Sequence, residues 1–455
     1  MPASTTLRIW LTIFVAAACL PAAAAKPATE AGVKAAPLPL LQPTDPAYIP
    51  LGVYSAGEYV PRADKERKQI DWVKTEQDLD GMQERGCTAV WLTHLNAAQT
   101  AEFARRAARR GISVVASLGN IDGSVERFRK GNVKQVVEQT LAAWGDAPRP
   151  LAWGLGDEPK KDYMDQMKPY AAAWKKHVPQ DLVTTVVMHR DMEAASKAGF
   201  DALAADIYPF FSRDNPNRFM GRSHDAWLRN VKTLVSLSPR PWMMGQAYQE
   251  PWGPFEYDKG NVVYLPGGAP HWEMPTPDMI RWQALTAIAG GAKGMFYFIY
   301  RRGMAPKPDA KPTGLPAKAK ERTDSGAPMA LTHMDGRPTK QYDAMGEAFR
   351  WIRRHGAVLG PAQPAAGFKV GFAGDEHGAS VARVLADPKT GRKYLVVVAS
   401  YHRPRGGPLT VVLDPKITAL ENLDTGKPQP VAAGRAAVTL APGTAAIFAC
   451  TVAGD

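Results

Sequence analysis

Between residues 50 and 355, short apolar runs alternate with longer segments of helical period. The apolar runs predict strands at 51–55, 89–93, 113–117, 152–155, 183–188, 202–206, 242–246 and 294–299. Helical patterns lie between them at 75–85, 100–110, 133–144, 164–177, 225–236 and 277–289, and a last helix spans 340–355. Arg110-Gly111 and His355-Gly356 read as helix C-caps. Eight β-α units in about 300 residues suit a closed (β/α)8 TIM barrel, because closure leaves no strand edge unpaired. A doubly wound sheet is the runner-up. It would carry a Gly-rich turn after its first strand, where this chain has Ala56-Gly57-Glu58-Tyr59.

The pattern changes at both ends. From about residue 366, short alternating runs separated by turn signals such as Pro388-Lys389-Thr390-Gly391 predict a small antiparallel β-sandwich. Residues 26–48 are rich in Ala, Pro and Lys and read as a linker. The organisation expected is therefore a leader at 1–25, the linker at 26–48, a barrel at 49–360 and a sandwich at 366–455. Residues 304–330, full of Pro, Lys and Ala, read as a long mobile loop over the barrel mouth.

The leader is read from Arg8, the apolar run 9–20 and Pro21 followed by four alanines. This is the layout of a secretory signal peptide, with cleavage placed after Ala25. The expected location is periplasmic or secreted. Cys19 as a lipid-anchored cysteine is the less favoured alternative, since no Leu stands three residues before it. The run is too short to span a bilayer, and no second stretch is long enough.

Hydrophobic residues make up 45% of the 455 positions and charged residues 22%, so disorder as the main state is excluded. The net charge is +12, but the basic residues are scattered and not interleaved with aromatics, which argues against a nucleic-acid partner. A monomer or small homo-oligomer is expected. Past the leader only Cys87 and Cys450 remain, both in apolar strand patterns, so a disulfide framework is excluded and buried thiols are expected.

Chemistry in such a barrel sits at the C-terminal ends of the strands. Those ends carry Glu58, Thr93-His94, Gly119-Asn120, Asp157-Glu158-Pro159, His189-Arg190, Asp206-Ile207-Tyr208, Gln246 through Glu250 and Trp252, and Tyr297. Polar groups beside aromatic platforms suit a sugar ring, which has hydroxyls at its edge and C–H groups on its face. Glu158 is the expected acid, with its proton affinity raised by Asp157 and by burial beside Trp153. The competing reading makes 157–159 an N-capping loop. Glu58, His94, Asn120, His189, Tyr208, Gln246, Trp252 and Tyr297 are candidate sugar contacts. A metal site from His94, His189 and Asp206 has no short-spaced ligand motif behind it, and no cofactor is expected.

The string Gly154-Leu155-Gly156-Asp157-Glu158-Pro159 resembles the acid-bearing fourth strand of barrel glycoside hydrolases. The strings 283–285, 290–297 and 335–339, with the trailing sandwich, resemble β-galactosidase-type members. The resemblance implies a glycosidase acting on an oligo- or polysaccharide, with Glu158 protonating the leaving oxygen. It also implies a nucleophilic Glu at the end of strand 7, where this chain has Gln246. The second group is then Glu250, Asp206, or the substrate's own 2-acetamido group oriented by Asp157, as the adjacent Asp-Glu pairs of hexosaminidases do. Carboxyl groups about 5–5.5 Å apart would imply retention, and about 6.5–9.5 Å inversion. Gln246 also favours a non-catalytic carbohydrate-binding protein as the alternative, and a metal-dependent polysaccharide-modifying enzyme ranks third.

Overall fold

The computed structural model describes residues 42–55, 70–93, 95–118, 133–159, 161–211, 224–252, 255–258, 261–266, 269–301, 330–333, 336–375, 378–403 and 407–454. The leader, Cys19 and all of the 304–330 segment but Ala330 lie outside the described residues, as do Glu58, His94 and Asn120. Of Trp252 only the backbone is described.

Eight parallel strands close on themselves: β1 (Leu51–Ser55), β2 (Ala89–Leu92), β3 (Ser113–Ser117), β4 (Ala152–Gly154), β5 (Val183–Met188), β6 (Ala202–Asp206), β7 (Pro241–Gln246) and β8 (Gly294–Phe298). Closure is made by β8 against β1, with Leu51 opposite Met295 and Tyr54 opposite Phe298. Every expected barrel strand is present, shifted by no more than two residues at an end.

The period-2 alternation decides which side chains fill the barrel. Tyr54, Ala89, Trp91, Val115, Ala152, Val186, Ala204, Trp242, Met244 and Phe296 form the inner core. Their neighbours Val53, Val90, Val114, Trp153, Val187, Leu203, Met243 and Tyr297 face the helices. Those helices are α1 (Trp72–Glu84), α2 (Ala97–Ala108), α3 (Val133–Trp144), α4 (Lys161–His177), α5 (Met192–Ser196), α6 (His224–Leu237), α7 (Pro277–Ala289) and α8 (Lys340–Arg354). Asp71, Asn96, Thr276 and Thr339 accept a first-turn backbone N–H at the starts of α1, α2, α7 and α8. Gly111, at φ 67°, closes the turn after α2 as expected. Gly356 does not have a C-cap's positive φ. A Cβ there would fall 2.7 Å from the Ala47 carbonyl oxygen, so close packing explains this glycine.

The C-terminal residues form two antiparallel sheets. One has six strands in the order Gln363–Pro364, Val381–Ala386, Lys393–Val398, Ala445–Val452, Ile417–Asn422, Lys427–Gln429. The other has four: Gly371–Ala373, Pro408–Val412, Arg435–Thr439, Val431–Ala432. Val384, Leu395, Val397 and Phe448 face the smaller sheet. Leu385, Tyr394, Val396, Val398 and Ile447 face the other way and join the core shared with the barrel helices. Burial on both faces explains the unbroken apolar run Tyr394 to Val398.

Helix α7 lies between the barrel wall and this six-stranded sheet, and is buried almost all round, from Ile280 through Ala289. Trp282 Nε1 donates to the Ala379 carbonyl at 2.7 Å, and the Tyr401 ring sits 5.1 Å from Trp282 and 5.6 Å from Phe210. His355, at the end of α8, meets Asp424 at 2.9 Å. Cys87 is buried and Cys450 half-buried, and both are free thiols pushed up to about 12 by burial.

Between β7 and α7 the chain makes two short antiparallel ribbons absent from the sequence reading. Glu250–Trp252 pairs with Ala269–Trp272, and Phe255–Asp258 pairs with Asn261–Tyr264. No described helix is long and apolar enough to cross a membrane.

Candidate active site at the barrel mouth

The turn after β4 is pinned by β5. The Leu155 and Glu158 amides donate to the Thr184 and Val186 carbonyls at 2.9 and 3.1 Å, and the Val186 amide returns a bond to the Gly156 carbonyl at 3.2 Å. Gly156 permits this because a Cβ would meet Met167 Cε of α4 at 2.7 Å. The consequence falls on Glu158, whose backbone is held left-handed at φ 47°. That conformation costs a residue with a Cβ about 1–2 kcal/mol. Strain of this kind persists where surrounding bonds impose it, and it clusters at functional sites.

Across the mouth, Asp206 ends β6 with its side chain on the inner face. Its carboxyl hydrogen-bonds Glu158. Two carboxyl groups bond to each other only if one is protonated. Asp206 Oδ1 is buried and receives no bond from any fixed N–H or O–H donor among the described residues, consistent with a proton held by the pair. Tyr208 donates to Asp206 Oδ2 at 2.8 Å. Burial, then the charge of Glu158 and the bond to it, push Asp206 well above the usual carboxylate range. Tyr208 opposes the shift and Asp157 adds to it.

Asp157 takes a different partner. Tyr54 Oη, at the end of β1, donates to Asp157 Oδ2 at 2.9 Å. Asp157 reaches solvent through the open mouth, but protein on its remaining sides raises its affinity for a proton, against the pull of the Tyr54 bond. Tyr54 feels all three carboxyl groups, Asp157 most strongly after its own burial, and its hydroxyl is held protonated well above 10. Asp157, Glu158 and Asp206 therefore form one electrostatic cluster with two tyrosines.

An aromatic wall stands beside the cluster. The Tyr208 ring lies 5.1 Å from Tyr248, 5.6 Å from Trp272 and 5.8 Å from Phe298. Phe298 continues the wall to Tyr54 at 5.4 Å. Trp91 closes the floor, with Nε1 donating to Ser117 Oγ at 2.8 Å. Tyr248 and Trp272 are buried, whereas Tyr208 and Phe298 are half-buried and are the rings of this wall able to meet a sugar face beside the acidic groups.

Several sequence expectations shift. Trp153 does not bury Glu158: it points outward, 4.8 Å from Trp144 and 4.9 Å from Trp174, and donates to Asp181 at 2.8 Å. The group coupled to Asp206 is Glu158, which stands across the mouth from it. Tyr297 is not at the mouth, because its hydroxyl bonds the Ile280 carbonyl of α7 and its ring packs near Phe349. Gln246 is wholly buried and its amide bonds backbone groups of Phe210, Tyr248 and Glu273, so it offers nothing to a sugar. His189 starts an exposed 3-10 turn, His189–Asp191. Glu250 is half-buried at the start of the ribbon, opposite Trp272. Trp272, a candidate sugar platform from its place in the sequence, lies in the wall, whereas Tyr54, Tyr248 and Phe298 were not among the candidate contacts. Among the described residues no cluster of His, Cys, Asp and Glu is arranged to hold a metal.

No protein-family model matches the chain, and no curated protein matches it in sequence. Solved structures do match in shape. An α-amylase from Anoxybacillus aligns over 90% of this chain and 99% of its own, with a TM-score of 0.50 and 11% identity. A β-glucuronidase from Ruminococcus gnavus, in complex with D-glucuronic acid, aligns over 66% of this chain and 49% of its own (TM-score 0.46, 10% identity). The exo-β-1,4-mannosidase of Opitutaceae bacterium strain TAV5 aligns over 68% and 60% (TM-score 0.45, 15% identity). The aligned region is about half the length of the glucuronidase. With the closed eight-stranded barrel, the first of these likenesses shows that the chain shares the (β/α)8 barrel fold of this α-amylase.

Proposed function

We propose that this chain is a glycosidase that cleaves O-glycosidic bonds of an oligo- or polysaccharide by general acid catalysis. The observation that carries the reading is the Glu158–Asp206 carboxyl pair at the ends of β4 and β6, beside the aromatic wall. A carboxyl that stays protonated near neutral pH is what a departing sugar oxygen needs. Glu158, carried on the strained turn, delivers the proton. Asp206, held by Tyr208, accommodates the change in charge. Asp157, oriented by Tyr54, faces the positive charge that develops at the anomeric carbon, or the acetamido group of an amino sugar.

Glu250, Glu58, His94, Asn120, His189 and Trp252 complete the sugar contacts in this proposal. The enzyme works outside the cytoplasm, in the periplasm or secreted, after loss of residues 1–25, as a monomer or small homo-oligomer. It needs no cofactor.

The test is turnover of a panel of 4-nitrophenyl glycosides by wild type and Glu158→Gln. The expected result is a loss of at least about a thousandfold in kcat for the variant, with unchanged circular dichroism. Wild-type turnover by Glu158→Gln would remove Glu158 from the role of acid. A second reading, a non-catalytic carbohydrate-binding protein, is favoured by the buried amide of Gln246 at the strand-7 position. Saturable sugar binding by wild type with no turnover of any substrate would select it.

A further inference from the structure

Gln246 sits at the end of β7 with no solvent exposure, yet every hydrogen-bonding group it has is in use. Its Oε1 accepts from the Phe210 amide at 2.9 Å. Its Nε2 faces three carbonyls, Glu273 at 2.7 Å, Phe210 at 3.0 Å and Tyr248 at 3.4 Å. Its own backbone is gripped by a second glutamine, Gln283 of α7. Gln283 Oε1 accepts the Gln246 amide at 2.8 Å, and its Nε2 donates to the Gln246 carbonyl at 2.9 Å. Each side chain thus copies the donor-acceptor face of a peptide unit, and the two together extend the sheet from α7 through β7 to the segment after β6.

The three segments gathered by Gln246 are those that carry the aromatic wall. Phe210 is two residues beyond Tyr208. Tyr248 is itself a wall residue, and Glu273 follows Trp272. A second bond, from the Glu273 amide to the Phe210 carbonyl at 3.1 Å, and a bridge between Phe211 and Trp272 lock the same junction. Tyr208 in turn donates to Asp206, and that bond lowers the proton affinity of the Glu158–Asp206 pair.

We propose that Gln246 is a positioning residue: its buried amide clamps the β6 and β7 loops to the base of the ribbon, and so sets Tyr208 against Asp206. The inference takes from the proposed function only that the Glu158–Asp206 pair is the reacting centre. An amide alone suits the place. A carboxylate would direct negative oxygen at three carbonyls, and a thioether would take the side-chain donor from all three, leaving the Phe210 carbonyl only its bond from the Glu273 amide.

The experiment compares wild type with Gln246→Met and Gln246→Glu in the full chain, labelled with 13C at the aspartate carboxyl carbons. The Asp206 resonance, assigned through Asp206→Asn, is followed against pH. With Tyr208 slackened, its titration midpoint is expected to rise by about half a pH unit or more in both variants. Turnover per folded molecule is expected to fall about tenfold or more. An unchanged Asp206 midpoint with unchanged turnover, beside a lowered melting temperature, would overturn the proposal and leave Gln246 a residue of the fold alone. Should neither variant fold, Gln246→Asn retains the amide and withdraws it by one methylene, and the same midpoint decides. The NMR reading needs no substrate. A wild type that cleaves no glycoside therefore counts against the glycosidase reading while the midpoint still judges the clamp.

Discussion

Tyr54 and Asp157 are joined across the barrel mouth: the phenol at the end of β1 donates to the carboxyl that follows β4, at 2.9 Å. The bond fixes the direction of Asp157 through one of its two oxygens. It also opposes the rise in proton affinity that burial imposes on Asp157.

Replacing Tyr54 by Phe removes the donor and little volume. We expect kcat to fall about ten- to a hundredfold and stability to drop by about 1 kcal/mol, measured by steady-state kinetics and urea unfolding. Asp157 should become harder to ionise, so the acidic limb of the rate profile should move to higher pH. Full activity with an unmoved limb would show that this bond does not orient a working carboxylate.

Glu158 pays for its place with a left-handed backbone at φ 47°. Glu158→Gly relieves that conformation and deletes the carboxyl. The variant should be inactive and yet more stable than Glu158→Ala by about 1 kcal/mol, read from unfolding midpoints. Equal stability of the Gly and Ala forms would mean the turn carries no strain.

The pH dependence has a definite sign. Asp206 has a folded proton affinity well above that of an unfolded aspartate, near ~3.9. Its contribution to stability is complete below about pH 4 and is withdrawn as pH rises towards the raised folded value. Asn cannot ionise, so Asp206→Asn should lack this decline. Wild type should lose stability relative to Asp206→Asn on going from about pH 5 to about pH 8, in urea titrations at fixed ionic strength. Activity should follow the same proton, falling on the alkaline side in wild type and absent in the variant. Parallel stability curves would show that Asp206 is not held protonated.

Much of this was readable in the chain because strands announce themselves by period 2 and barrels place their chemistry at strand ends. Glu158 and Asp206 were found that way. Phase was the weak point. Tyr297 lies between Phe296 and Phe298, which fill the barrel, so alternation already turned it towards α7. Trp153, between Ala152 and Gly154, has the same parity error. Tyr54 was missed because a tyrosine inside an apolar run reads as core until a distant carboxyl is brought to its hydroxyl. The ribbons between β7 and α7 went unseen because Pro251, Pro266 and Pro270 break the alternation that marks a strand. The clamp of Gln283 on Gln246 joins residues 37 apart, and no local pattern signals such a pairing.

The position of α7 bears on how the molecule could be divided. Its outer side is roofed by Leu385, Val396, Val398 and Ile447, and Trp282 is tied to Ala379 beyond the last barrel helix. The trailing sheets therefore serve as an outside wall of the barrel and do not hang from it as an appendage. Gln283, which grips the strand-7 clamp, projects from that same roofed helix. A protease nick or deletion within residues 363–452 would reach the barrel mouth through this shared layer and through the Tyr401 ring that packs on Phe210.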